Sequence, residues 1–158
     1  MKTYCPYRIA PLGAHIDHQY GVVCGCAINL GIHFDYEELN SDEIILTSNN
    51  YNGEIIFNVN DKLNRNNDWA DYFRGIIKHI KRKYFIIRGL KGNFIGDLPA
   101  GGISSSSSSQ IAFLKAICCI NNIKLSKEET INIVYKVERE YMNLSIGILD
   151  PSCEVLSK

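Results

Sequence analysis

Between Pro99 and Gln110 the chain reads PAGGISSSSSSQ, six consecutive serines behind a proline and two glycines. Residues 110–120, QIAFLKAICCI, continue the run with apolar side chains at helical spacing, so the serines are expected to open a helix rather than form a flexible low-complexity linker. A glycine-rich turn that feeds a helix N-terminus presents unpaired backbone N–H groups and the positive end of the helix dipole, which suits a phosphate. Serine hydroxyls add hydrogen bonds, and one of them can ligate Mg²⁺. The stretch is not a Walker A loop, because no Gly-Lys-Ser/Thr ending is present. Taken alone, the pattern also serves an ordinary helix cap.

A second stretch, PLGAHIDHQYG at residues 11–21, is rich in polar groups that could hold a hydroxylated ligand. A small apolar side chain, Ala14, stands in it immediately before His15. Why an alanine occupies that position is a question of specificity.

Composition narrows the classes available to these residues. The chain of 158 residues is long enough for one domain with a sizeable core, and its 17 basic and 17 acidic side chains cancel. No nucleic-acid footprint follows from such a balance. The basic run KHIKRK (78–83) reads as the solvated end of an amphipathic helix. No apolar segment approaches the roughly 20 residues that span a bilayer, and the N-terminus lacks a signal-peptide core, so a cytoplasmic protein without a membrane partner is expected. The six cysteines lack paired C-x-x-C spacing and are read as free thiols that behave as small buried hydrophobes.

The elements that must position these groups are strands first and helices later. β-Rich segments occupy TYCPYRIAPL, GIHFDYEEL, DEIILTS and GEIIFNV, the last two joined by the turn-rich NNYNG (49–53) as a hairpin. Trp69, Phe73, Ile76, Ile77 and Ile80 recur at helical spacing, with Asp68 expected to cap that helix. A strand, GNFIGDL (92–98), precedes the serine run. Ser126 with Glu129 three residues later forms a capping box for a further helix. The class expected is α+β.

Taken together, YRIAPLGAHIDHQYG, LPAGGISSSSSSQIAFLKAI and GILD, ending at Asp150, resemble the ordered motifs of the GHMP small-molecule kinases, most closely the galactokinase branch. DWADYFRG resembles a W-x-x-Y-x-x-G helix of that branch through Trp69, Tyr72 and Gly75. The resemblance implies a ribosomal-protein-S5-domain-2-like α+β fold and an ATP- and Mg²⁺-dependent sugar kinase. By the same resemblance, Arg8 stabilises charge on the transferring phosphoryl group and Asp150 is the catalytic base. Pro99, Gly101, Gly102, Ile103, Ser104, Ser105 and Ser106 form the ATP-binding phosphate loop, Ser106 and Glu138 ligate Mg²⁺, and Ala14, His15 and Asp17 meet the sugar. Read as isolated residues, Arg8 also suits a surface charge, Glu138 a helix ion pair and Asp150 a helix cap.

Galactokinases of this resemblance typically carry glutamate at the position of Ala14, near the sugar's C6 hydroxyl, whereas the galacturonokinases of the branch carry alanine. Opposing a C6 carboxylate with a glutamate about 4 Å away costs roughly 1–4 kcal/mol. Alanine removes that repulsion, so D-galacturonate, phosphorylated at its anomeric hydroxyl, is the expected substrate, with galactose the alternative. Two departures stand out: Pro151 replaces the usual glutamine after the catalytic aspartate, and Ser107 and Ser108 replace alanines. The resemblance covers residues 1–158 as an N-terminal, ATP- and sugar-binding domain. The branch's C-terminal domain has no counterpart in these residues, and an exposed apolar face with self-association through it is expected. A non-catalytic sugar- or nucleotide-binding protein is the competing expectation.

Overall fold

A computed structural model describes residues 1–14, 16–99 and 102–157. The elements follow in the order β1 (Lys2–Leu12), β2 (Cys24–Glu38), β3 (Glu43–Ser48), β4 (Ile55–Asn58), α1 (Asp71–Ile80), β5 (Leu90–Gly96), α2 (Ser105–Ile120), α3 (Lys127–Lys136) and α4 (Leu149–Leu156). The strands form one sheet in the order β1-β2-β5-β3-β4. All neighbours are antiparallel except β3 and β5, which run parallel. The expected α+β class and the β3–β4 hairpin are both present.

Alternation along the strands sends one side chain of each pair toward the helices and the other to water. Phe34 and Phe94 face each other across β2 and β5 with ring centroids 4.2 Å apart. Phe73 of α1 stacks on Phe94 at 4.7 Å, and Phe113 of α2 closes on Phe73 at 5.1 Å. This aromatic knot is buried, as are Ile76, Ile77 and Ile80 on the same face of α1. On the outer face Lys2, Asp35 and Asn93 lie in one row across three strands, with Glu37 and Lys91 beside them. Helix α2 lies over β1, β2 and β5, and α4 covers the β1–β2 end. Among the described residues no helix is long and apolar enough to cross a membrane.

Pairing between β1 and β2 is regular up to Pro6 opposite Gly31, then resumes with Arg8 opposite Ala27. Residues 28–30 of β2 therefore face the single Tyr7. Successive residues of an undistorted strand point to opposite faces, yet Tyr7 is wholly buried and the Arg8 side chain is 14% exposed. The irregularity turns both toward the helical layer.

Two local expectations are corrected. Asp68 is not the cap of α1, whose N-cap is Ala70 with no side-chain bond. Asp68 instead accepts from the Ala70 N–H (2.9 Å) and from Arg74 (2.7 Å), while Asp71 accepts from Arg74 and from the N–H groups of Asn66 and Asn67. A buried guanidinium needs its carboxylates more than the helix end needs a cap, and the clasp fixes the loop that carries Trp69. Of the six thiols, only Cys5 and Cys118 are buried; Cys24, Cys26 and Cys119 are exposed and Cys153 is intermediate. All six are free, but Cys24 and Cys26 flank Gly25, whose inward side is filled by Cys153 and Leu149, so the pleat sends both thiols outward. The capping box on α3 forms as expected, with both hydrogen bonds in place.

Gly75 is where α1 meets the turn following α3. A Cβ there would stand 2.6 Å from Val137 Cγ1 and 2.8 Å from Tyr141 Cδ1. Alanine is the better helix former by about 1 kcal/mol, but neither a branched nor an aromatic neighbour can withdraw cheaply. Gly75→Ala is expected to destabilise the protein by about 1–3 kcal/mol net, read as a lower urea midpoint at unchanged slope.

Candidate active site

The sheet distortion places Arg8 opposite the start of α4. Its Nε donates to Asp150 Oδ1 at 2.6 Å and its Nη2 to Oδ2 at 2.7 Å, a bidentate pair joining positions 142 residues apart. Asp150 is the second residue of α4, whose N-cap is Ile148, so its carboxylate points away from the helix to Arg8 instead of capping. Pro151 follows in the first turn, where a missing N–H costs nothing.

The same two residues hold the loop that enters α2. Arg8 N–H donates to Ile103 O (3.3 Å), Arg8 Nη1 to Gly102 O (3.2 Å), and Ser104 Oγ to Asp150 Oδ2 (2.8 Å). Gly102 at φ +67° and Ser104 at φ +61° both take the left-handed conformation, which bends the chain sharply into the helix. The run thus starts α2 at Ser105, with Ser104 as its N-cap and no side-chain cap bond. N–H groups of 105–107 have no intrahelical acceptor, as at any helix start, so the loop leaves donors and a positive dipole end beside the Arg8–Asp150 pair. Gly101 and His15 lie outside the described residues. Pro99 precedes the loop and is exposed.

Glu138 meets this cluster from the third side. After α3 the chain widens into a π-type turn, Val137–Tyr141, in which the consecutive Val137 and Glu138 are both buried. Glu138 Oε1 accepts from Ser106 Oγ (3.1 Å) and Gln110 Nε2 (2.8 Å). Burial pushes its carboxyl up to about 7, with the nearby Asp150 acting in the same direction. Mg²⁺ takes hard oxygen ligands in small number and completes its shell with phosphate and water. A hydroxyl and a buried carboxylate at hydrogen-bond distance fit that demand, and a bound cation would restore the charge that Glu138 gives up on burial. Among the described residues no group of three or more His, Cys, Asp or Glu side chains gathers to hold a metal, here or elsewhere.

Asp17 lies in a short 3₁₀ turn, Asp17–Gln19, and its Oδ2 accepts the Leu149 N–H at 2.8 Å. It therefore anchors the start of α4 next to Asp150, leaving Oδ1 for another donor. Gly147 is required beside it, since a Cβ would fall 2.1 Å from the Asp17 carboxyl carbon. Ala14 is exposed on the turn that connects β1 to Asp17, closed by Ile16 N–H to Gly13 O at 3.0 Å.

One part of the site escaped sequence reasoning. A cavity of about 290 Å³ opens beside Ser105 and Ser106, lined by Ser48, Asn50, Tyr51, Trp69 and Tyr72. Tyr51 and Trp69 stack nearly parallel (8°) with centroids 5.7 Å apart. The Trp69 indole N–H is buried and has no acceptor. Trp69, Tyr72 and Gly75 stand out as a motif in sequence, but Tyr51 comes from the β3–β4 hairpin, and only folding brings it alongside.

The fold and site were compared with known proteins. The family model described as the GHMP kinases N terminal domain matches residues 71–158. Galactokinase of Thermococcus kodakarensis is 32% identical over 151 residues, which cover 95% of this chain and 42% of that protein. Galacturonokinase of Arabidopsis thaliana is 33% identical over 172 residues, 96% of this chain and 41% of that protein. A crystal structure of Lactococcus lactis galactokinase complexed with galactose superposes with a TM-score of 0.91 at 26% identity, covering 99% of this chain and 42% of that one. Mevalonate kinase of Methanococcus jannaschii follows with a TM-score of 0.84 at 28% identity. These matches show that the chain belongs to the GHMP kinase family, with relatives named galactokinase and galacturonokinase. It spans about two fifths of the length of these curated relatives.

Two outcomes are expected from this geometry. Removing the guanidinium in Arg8→Ala leaves Asp150, 29% exposed, without its partner and frees the loop, at a cost of about 1–3 kcal/mol in chemical unfolding. Were Glu138 to ligate Mg²⁺ it would do so ionised, and the affinity is then expected to rise up to about tenfold per pH unit below about 7 and level off above. Calorimetry in buffers of different ionisation enthalpy should count close to one proton released per Mg²⁺ at pH 6, and none in Glu138→Gln.

Proposed function

We propose that residues 1–158 form the ATP- and sugar-binding half of a sugar-1-kinase that uses Mg²⁺, and that its acceptor is a galactose-type sugar, D-galacturonate before D-galactose. The observation that carries the reading is the bidentate Arg8–Asp150 pair held against the N-terminus of α2. Asp150 can accept about four hydrogen bonds, and three are taken by Arg8 and Ser104. The remaining site is available to the anomeric hydroxyl, whose proton Asp150 accepts as that oxygen bonds to the terminal phosphorus and the bond from that phosphorus to the bridging oxygen breaks, releasing ADP. Arg8 and the free N–H groups of α2 stabilise charge on the phosphoryl oxygens. Mg²⁺, when bound by Ser106 and Glu138, neutralises the nucleotide phosphates. The adenine ring fits between the walls of the Tyr51–Trp69–Tyr72 cavity, where the indole N–H awaits an acceptor.

Ala14 supports the sugar acid, because an alanine adds no charge beside a C6 carboxylate. Relatives named galactokinase and galacturonokinase match the chain equally well, so the choice between them rests on Ala14. Ala14 and Asp17 lie close along the chain after β1 and would contact the sugar, with His15 expected to join them. Leu12, Tyr20 and Val22, each more than two-thirds exposed at the β1–β2 tip, offer an apolar face for association with another domain or another copy.

ATP-dependent ADP release with D-galacturonate and D-galactose side by side tests the reading. Turnover should prefer galacturonate and fall about 10²–10⁴-fold in Asp150→Asn. Ala14→Glu should shift preference toward galactose by about one to three powers of ten. Nucleotide binding without turnover on either sugar would favour a binding module over a kinase. Light scattering should show dimers or larger species, reduced by Val22→Glu.

A further inference from the structure

Two serines of the run take no part in the phosphate site. Ser107 and Ser108 are fully buried and turned toward Glu154, which lies one helical turn beyond Asp150 on α4 and is 3% exposed. Ser108 Oγ stands 2.8 Å from Glu154 Oε1, but also 2.9 Å from Pro6 O and 3.1 Å from Ser104 O, three acceptors around one hydroxyl proton. Glu154 Oε2 and Ser107 Oγ are both buried without a hydrogen-bond partner. Among the described residues no cation pairs with Glu154, and the nearest guanidinium, Arg8, is committed to Asp150 and Gly102. The cluster is short of a proton, and a buried carboxylate in such a place is short of a counter-charge.

We propose that Glu154 is a positioning residue held as a neutral carboxylic acid, whose Oε1–H donates to Ser108 Oγ while Ser108 donates onward to the Pro6 carbonyl, so that the helix carrying Asp150 is locked to the first turn of α2. The surroundings agree. Burial pushes the Glu154 carboxyl up to about 8, and Asp150 on its own helix acts in the same direction. The other ionisable groups about it are Cys153 on α4, Cys5 and Arg8 on β1, and, along the groove that Glu154 lines, Tyr4 of β1, Lys115, Cys118 and Cys119 of α2, Lys124 after it and Lys127 of α3. Lys115 is bound to Tyr4 O. The functional consequence of the lock, a correctly set phosphate loop, rests on the nucleotide site proposed above; the protonation state does not.

The sign of the pH effect follows from linkage. A carboxyl whose folded pKa exceeds its unfolded value binds more protons when folded, so its contribution is intact below the unfolded pKa and is lost as pH rises through about 8. The test compares the whole chain with Glu154→Gln, whose amide donates to Ser108 at every pH, and with Glu154→Ala. Carbon-13 NMR of labelled glutamate carboxyls should show one group titrating near 8 that disappears in Glu154→Gln. Between pH 5 and pH 9 the melting temperature should fall by at least about 5 °C more in the native chain than in Glu154→Gln. ATP with Mg²⁺, followed through the fluorescence of Trp69, should bind about tenfold more weakly at pH 9.5 than at pH 7.5 in the native chain, equally at both in Glu154→Gln and weakly at both in Glu154→Ala. Titration of every glutamate other than Glu138 in the ordinary carboxylate range, with the native and Glu154→Gln melting profiles parallel, overturns the proposal. The NMR and melting results without ATP binding at any pH would uphold the neutral Glu154 and remove the nucleotide site instead. Should Glu154→Ala not fold, Glu154→Gln carries the comparison alone.

Discussion

A guanidinium on an edge strand and a carboxylate on the last helix meet in two parallel hydrogen bonds, and the candidate site is arranged around that meeting. Arg8 is fixed by its backbone as well as its side chain, through the Ile103 carbonyl, and Asp150 is fixed through Ser104. Strand β1, the loop that enters α2 and α4 are therefore one unit. A charged pair of this kind stabilises little by itself, since desolvation offsets much of the attraction. Its value lies in geometry. A planar fork admits one arrangement of the carboxylate, and that arrangement sets the helix start beside it.

The pair needs a strand that departs from its own pleat. A regular β1 could bury Tyr7 or Arg8, and the site requires both. Slack taken up by residues 28–30 of β2 resolves the conflict locally, next to the site and away from the aromatic knot of Phe34, Phe73, Phe94 and Phe113. The π-type turn that delivers Glu138 is a second such departure, and Gly75 supplies the space that lets it close on α1. Regular elements build the core, and the irregular ones aim side chains.

Three carboxylates approach the α2 N-terminus in different states. Asp150 is held by a cation. Glu138, accepting only from Ser106 and Gln110, is pushed toward neutrality by burial and fits a site for Mg²⁺. Glu154 is as deeply buried, and its carboxyl meets the hydroxyl of Ser108 with no cation beside it among the described residues. Depth and partner decide the charge of each, and three full charges could not share so small a volume. The serine run supplies a different hydroxyl to each of them, from Ser104, Ser106 and Ser108.

Much of this was legible in the residues. Periodicity marked the helices and strands, the capping box of α3 and the glycine turn before the serines, because those signals are local. The ordered motifs marked Arg8, Asp150, Ser106 and Glu138 as one family's site, and the structure brings all four together. Asp68 was misread as a cap, because a buried Arg74 competes for it and nothing near in sequence reports burial. The exposed Cys24 and Cys26 were misread for the same reason. Which hydroxyl of a homopolymer faces which carboxylate, the distortion that turns Arg8 inward, the cavity closed by Tyr51 from a distant hairpin and the burial of Glu154 were decided only by tertiary structure. Each depends on groups tens of residues apart meeting at a few ångströms, and the order of residues along the chain sets chemical type and local conformation but not that distance.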